Sequence, residues 1–460
     1  MMEIIKKNAY VMDIPFKIVY FIFAFFTYCN LTFMKPIMSY AVMAVLGFGV
    51  LAAIPRLFKW KGYIKTPGFI FAILFLVSFV ISAIFNFKYG YADNFKGLVW
   101  MGFHFCLLFA CDVDRSEKDY KKEFNILMGF FMAVMLIMST ASLIQFITNY
   151  SLEEYLPNVT RLAGLVWGRL WGVFTDPNYG SVFAVISVLL SCYFFGKYKK
   201  GLFRILLILN VFIQLAYIAF SDSRTGLVTL FATAFAYVYL ISLKKVKKEK
   251  LAKYVICVVL AFAISISSVV ITVCLKEVVG DFVVAQYEKL DDPQIEVPDL
   301  DGGREEDIEQ DISNRRFDIW KSGVEIFMKS PVLGTSYYNI KEFALNVIPE
   351  TYLVNNDHGQ FNNMHNMLFN LLAGQGTIGI ILFIAFGIFA IVYILKRIFK
   401  DGVEDYNYLV ILLVCVIAGF VASMFLTDII YVNSPTSIIF WLFLGYILHY
   451  LKRKEIEKKA

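Results

Sequence analysis

The sequence predicts an all-α polytopic membrane protein of about twelve transmembrane helices, with one large loop on the far side of the membrane from the cytoplasm. Three observations predict it: an excess of apolar residues, apolar runs of spanning length, and the placement of lysine and arginine. Of 460 residues, 59% are hydrophobic and 17% charged, and the mean hydropathy is +0.66. A soluble domain is nearer half apolar and a quarter charged, so this chain needs an apolar solvent. A span takes about 20 apolar residues. Such runs lie near 14–34, 37–54, 67–86, 97–111, 124–148, 178–196, 202–220, 225–243, 254–275, 377–395, 407–426 and 436–451. They are continuous, without strand alternation, and in lipid a helix satisfies its own backbone hydrogen bonds.

The first run is long and lacks a small-residue cleavage site after it, so it reads as a span and not as a removable signal. All seven cysteines fall in apolar runs and read as small core residues, without a disulfide framework. With the N-terminus inside and the spans alternating, the inner segments carry 28 Lys+Arg and the outer ones 14, eight of these in the one long loop. Long loops weigh little in the positive-inside rule, so both termini are expected in the cytoplasm. The net charge of +6 sits in short loops at span ends and does not suggest nucleic acid. Two matching halves, as in many transporters, are not evident. The whole chain, 1–460, reads as a single integral membrane domain.

The outer segments hold the unusual residues. They are a loop at 149–177, a tight SDSRTG connection, and a loop at 276–366. Arg224, in SDSRTG, sits at the membrane boundary, where arginine needs an anionic partner. It is either a snorkelling arginine paired with Asp222 or a fork for phosphate oxygens. Arg169 lies in WGRLWGVFTDPNYGS between Trp167 and Trp171, either in an interfacial aromatic belt or beside a stacking platform for sugar rings. Asp176 reads as a helix cap before Pro177.

The long loop opens with thirteen Asp/Glu between 277 and 311. The acidic part, 288–311, fits no Ca²⁺ loop and reads as solvated. From about 314 to 329, Phe317, Trp320, Val324 and Phe327 recur at helical spacing, behind Arg315 and Arg316. An amphipathic helix on the outer membrane surface is expected, with Arg316 and Trp320 on one face. His365, followed by Asn366, sits at the mouth of the tenth span, where an imidazole can take a proton near neutral pH. His358 could pair with it on a metal, but a third ligand is lacking. Gly374-Gln375-Gly376-Thr377-Ile378-Gly379 matches GxGxxG, yet it follows no strand and enters a span. Close packing of small residues explains it better than a dinucleotide site.

Taken in order, the pieces are Arg169, Gly172, Phe174, Pro177, Asn178; Ser223, Arg224, Thr225, Gly226; Arg316, Trp320, Pro331, Gly334; and His365, Asn366. This order over about residues 160–395 resembles the O-antigen ligase and O-antigen polymerase superfamily of bacterial envelope glycosyltransferases. The resemblance implies a GT-C-like fold in the bacterial cytoplasmic membrane and an active site on its outer face. It implies a metal-independent, inverting transfer without cofactor, from an undecaprenyl-diphosphate-linked oligosaccharide to an acceptor glycan, serving capsule, exopolysaccharide or O-antigen synthesis. Arg169, Arg224 and Arg316 (or Arg315) would hold the diphosphate, and His365 would orient or deprotonate the acceptor hydroxyl. Trp171, Trp320 and Asn366 would contact substrate. Membrane lipid, and a chain-length regulator or flippase, are the implied partners. A ligase acting on a terminal acceptor is the alternative within the family. A transporter or flippase of lipid-linked glycans is the alternative outside it, and it should show charges deep in several spans. In the sequence the ionisable residues gather at the outer ends.

Overall fold

The protein is seen in a computed structural model that describes residues 10–30, 34–156, 159–199, 201–246, 250–290, 296–300, 313, 315–357, 359–399, 404–426 and 429–458. Most of the acidic segment at 288–311, and His358, lie outside the described residues. The twelve apolar runs all fold as helices. In chain order the helices are α1 (Asp13–Thr27), α2 (Met34–Phe58), α3 (Phe69–Phe85), α4 (Ala92–Gly102, continued by a π-helical turn Phe103–Phe109), α5 (Glu117–Ile147), α6 (Pro177–Lys197), α7 (Leu202–Ser221), α8 (Arg224–Lys245), α9 (Lys250–Glu288), α10 (Arg316–Lys329), α11 (Ile340–Val347), α12 (Met367–Ile398), α13 (Tyr406–Ser423) and α14 (Pro435–Glu457). Among the described residues, eight helices are long and apolar enough to cross a membrane: α2, α5 to α9, α12 and α13. The other four runs are short (α1, α3), interrupted (α4) or flanked by polar residues (α14).

Most of α14 from Pro435 to Leu451 is buried, so it is the axis on which α12, α13 and the π-helical turn after α4 pack. Short connections bring alternate helix ends together. Asn86 donates to Gly334 O, Asn366 to Met424 O and Arg169 to Ser221 O at one end. Lys454 pairs with Glu117 and Tyr406 donates to Leu240 O at the other. Helix α9 has 39 residues, about 58 Å at 1.5 Å per residue. It therefore runs past the first end, where Tyr287 donates to Ile147 O. The start of the long loop, 276–288, is thus helical.

A cluster of buried charges corrects the expectation that ionisable residues sit only at the outer ends. Lys17 and Arg115 both pair with Glu123, and Asp13 pairs with Arg56 at 3.2 Å and Arg115 at 3.1 Å. Tyr446 of α14 also donates to Glu123. The cluster lies at the start of α1 and α5, opposite the arginine-bearing end, and its charges are mutually paired as burial demands.

The 149–177 segment holds a three-stranded antiparallel sheet, β1 (Ser151–Leu156), β2 (Val159–Val166) and β3 (Arg169–Gly172), in the order β1-β2-β3. Hydropathy gave no sign of it, because the strands are short and one face of the sheet rests on α5. Val173 N–H, just past β3, donates to Ser142 Oγ of that helix.

The glycine-rich start of α12 is not a helix-packing stripe. It is a socket for the P-x-x-G segment. Gly376 has φ 59° and ψ −156°, which opens the helix by one turn. Segment 331–336 enters the opening: Thr335 and Ser336 N–H donate to the carbonyls of Ala373 and Gly374, and Thr377 N–H donates to Pro331 O. A Cβ on Gly334 (φ +67°) would stand 2.5 Å from the backbone of Gly374 and Gln375, a separation no side chain tolerates. Ser82 of α3 completes the joint by donating to Gly374 O.

Gly334→Ala should therefore lower the thermal stability of the purified protein or abolish its monodisperse elution. Gly387→Ala, further along α12 where a Cβ meets nothing within 4 Å, should leave both unchanged. Equal behaviour of the two variants would refute the socket.

Candidate active site

Each cationic residue singled out in the sequence is presented by a backbone that turns sharply. L-residues rarely adopt positive φ, and each such residue costs about 1–3 kcal/mol. Among the described residues, the non-glycine ones with positive φ are Asn149, Trp167, Asp222, Arg315, Ser336 and His365. They lie at the end of the bundle where α7 ends and α8 and α12 begin. Trp167 and Gly168 precede Arg169, Asp222 lies two residues before Arg224, Arg315 precedes Arg316, and His365 is itself in the left-handed region. Strain is concentrated where these side chains are aimed.

Arg169 and Trp171 share the more accessible face of β3, because successive side chains alternate and Leu170 between them is buried. The Arg169 guanidinium donates to Ser221 O at 3.0 Å and to Asn178 Oδ1 at 3.2 Å. The same Asn178 oxygen accepts from Ser223 Oγ at 2.9 Å. Ser223 caps α8 by accepting from Gly226 N–H, which sets Arg224 in the first turn of that helix. One amide thus ties β3, α6 and α8 together. Asp176 caps α6, accepting from Asn178 N–H at 2.6 Å. Asp222 pairs with Lys276 of α9 at 3.5 Å.

Helix α10 brings the third arginine. Ile319, Ser322, Gly323 and Ile326 form its buried face. Phe317, Val324 and Met328 are exposed on the other side, the outward apolar face expected of a surface helix. Trp320 stacks on Phe369 (5.2 Å, 13°) and donates from Nε1 to Met364 O at 3.1 Å. That bond pins α10 beside His365, and Arg316, one turn earlier, packs over the Phe425 ring at 5.8 Å. The groups then feel one another's charge. Burial lowers the His365 imidazole below its ordinary value; the Asp176 carboxylate opposes this and Arg316 adds to it. Burial also lowers Arg316, with Asp176 opposing and Arg224 adding. Arg224, Arg316, His365 and Asp176 therefore occupy one electrostatic neighbourhood, joined to Arg169 through Asn178. All five are half-buried, at the rim of the bundle and not in its core.

The remaining sequence candidates divide. Arg315 is exposed at the start of α10, so Arg316 is the arginine of the pair turned toward the others. Trp171 keeps a buried indole N–H for which the described residues offer no acceptor. Trp320 has one ring face and its N–H engaged by the protein, so it acts first as a latch. Asn366 is likewise engaged: its oxygen caps α12 at Leu368 N–H and its amide donates to Met424 O at 2.8 Å. Asp176 as the counter-charge was legible only as a helix cap, and Asn178, although part of the ordered sequence pattern, gave no sign of being the hub. The described residues contain no group of three His, Cys, Asp or Glu able to hold a metal ion.

The fold and this rim define a multi-pass helical membrane protein with a cationic site at helix termini. The family model described as O-Antigen ligase matches residues 209–384. That match supports the O-antigen ligase and polymerase superfamily and points to activity of that type. It spans Arg224, Arg315, Arg316, Trp320, His365 and Asn366, and stops short of Arg169 and Trp171. No curated protein matches the chain.

The opposing charges on His365 give a signed test. Arg316→Gln should raise the midpoint of the His365 titration and Asp176→Asn should lower it, read from imidazole NMR shifts with His365→Gln as the assignment control. Unmoved midpoints in both variants would mean that the three residues do not share a site.

Proposed function

We propose that the protein transfers a glycan from a lipid-linked diphosphate, undecaprenyl diphosphate in a bacterial cytoplasmic membrane, to an acceptor sugar hydroxyl on the outer face. The observation that supports this is the grouping of Arg316, Arg224, Asp176 and His365, with Arg169 bound to the same hub. Three guanidinium groups grouped at one rim suit the oxygens of a diphosphate.

In this reading Arg169, Arg224 and Arg316 hold the diphosphate, and Trp171 offers its N–H to a substrate oxygen. The acceptor oxygen attacks the anomeric carbon, and its proton passes to His365, whose neutral form burial favours. The bond from the anomeric carbon to the diphosphate oxygen breaks with its electron pair, and the lipid diphosphate leaves. Attack from the face opposite the leaving group inverts the anomeric centre. Negative charge grows on the diphosphate in the transition state. Guanidinium groups held in place stabilise it without reorganising, so the chemistry does not call for a divalent ion.

Polymerisation of lipid-linked repeat units, for capsule, exopolysaccharide or O-antigen, is the favoured form, and ligation to a terminal acceptor is the alternative. The buried charges do not favour a transporter. They are paired with one another at the opposite end, away from the site. A chain-length regulator or a flippase would act as a partner.

Purified protein with a lipid-linked repeat unit and EDTA should give product. A ladder means polymerase and a single transferred product means ligase. Arg224→Ala should lower kcat about 100-fold or more, near 3 kcal/mol of barrier, and His365→Ala about 100-fold or more. Arg161→Ala, which removes a rim ion pair with Glu154 (2.8 Å), should keep full activity. Wild-type rates in folded Arg224→Ala and His365→Ala proteins would end this reading.

A further inference from the structure

The end of the bundle opposite the arginines carries a charged cavity. It measures about 560 Å³ and lies between α5, α6, α8 and α13. Lys121, Lys197 and Lys244 line it from three different helices. Lysines at span ends ordinarily reach outward to water, but these three turn toward one space. Lys197 donates to Asn125 Oδ1 at 3.1 Å, one turn along α5 from Lys121, and the two ammonium groups repel across the gap. Lys244 lies 4.9 Å from the Tyr406 ring. Lys121 is held by Asp405 and sits 5.8 Å from the Tyr408 ring.

The first turn of α13 also lines the cavity, at Tyr406, Asn407 and Tyr408. The leading N–H groups of a helix have no helical carbonyl to meet, and the helix dipole makes that end positive. Three ammonium groups and a helix N-terminus around one opening favour a phosphoryl group. Glu404 and Asp405 line it too, and Asp405 holds Lys121, so Lys197 and Lys244 are the ammonium groups left to meet an anion. Four aromatic rings, Tyr193, Tyr237, Phe124 and Tyr408, supply its apolar wall. A wall of that kind suits a ligand that carries its phosphate on an apolar body. The four framing helices are all long and apolar enough to span, so the cavity stands at their termini, at the level of a bilayer's phosphates.

We propose that this cavity binds the phosphate headgroup of a membrane phospholipid, at the end of the bundle away from the glycan-transfer site. The proposal does not depend on the reaction assigned to the other end. Lys197 and Lys244 meet the phosphate oxygens, the α13 N-terminus adds its amides, and the acyl chains leave along the outer faces of the spans.

The test uses purified full-length protein, stripped of lipid by detergent exchange, in native mass spectrometry and thermal unfolding. The probes are dioleoylphosphatidylglycerol, dioleoylglycerol and inorganic phosphate. One phosphatidylglycerol should stay bound and raise Tm, while dioleoylglycerol and inorganic phosphate at equal concentration should do neither. Lys197→Gln with Lys244→Gln should weaken retention at least about tenfold, and the double Arg variant should restore it. Lys88→Gln, at the other end, should change nothing. If the double Gln variant elutes misfolded, Lys244→Gln alone carries the comparison. Undiminished retention by the Gln variant, equal retention of dioleoylglycerol, or full stabilisation by inorganic phosphate would each overturn the assignment to a phospholipid headgroup.

Discussion

The seating of segment 331–336 in the opened turn of α12 fixes the geometry of the whole rim. An opened turn at Gly376 leaves backbone carbonyls and amides without helical partners, and in an apolar setting each must be satisfied. The P-x-x-G segment satisfies them strand-like, with Thr335, Ser336 and Thr377 as donors. Gly334 is required because its backbone lies against that of Gly374. This joint holds the C-terminal end of α10 against α12. Trp320 fixes the other end by its bond to Met364 O. With both ends of α10 held, Arg316 has little choice but to face His365 and Asp176.

The two ends of the bundle handle charge differently. At one end Lys17, Arg115 and Arg56 are matched by Glu123 and Asp13 and sealed from water. Removing one member of such a set strands the others, which costs about 3–5 kcal/mol. At the other end Arg169, Arg224 and Arg316 gather near the Asp176 carboxylate and stay half-buried, and Arg169 donates to the Asn178 amide oxygen and the Ser221 carbonyl. The first pattern suits a permanent structural lock. The second suits the anion-binding role proposed for it, and left-handed residues stand beside each of these side chains.

The sequence displayed much of this. Composition and the twelve apolar runs determined a helical membrane protein, because burying a helix in lipid demands a continuous apolar stretch, and length alone reveals it. The residue types of the site were visible too, since Arg169, Arg224, Arg316 and His365 stand out at span ends where charge needs a reason. The helix caps at Asp176 and Ser223 follow from local chemistry, and the amphipathic period of α10 was readable from about 314 to 329.

What the sequence could not decide is anything that depends on contacts between distant segments. The sheet at 151–172 has strands too short to show alternation, and it exists because α5 supports it. The buried ion cluster joins residues more than 100 positions apart, so Lys17 and Glu123 look like unrelated charges until α1 and α5 pack. Glycines 374–379 look like a helix-packing stripe until segment 331–336 is seen to fill the opened turn. Asn366 looks like a substrate contact until Met424 takes its amide. Sequence determines which side chains are available, through local hydropathy and capping. Only tertiary packing decides which of them are already satisfied and which remain to bind a substrate.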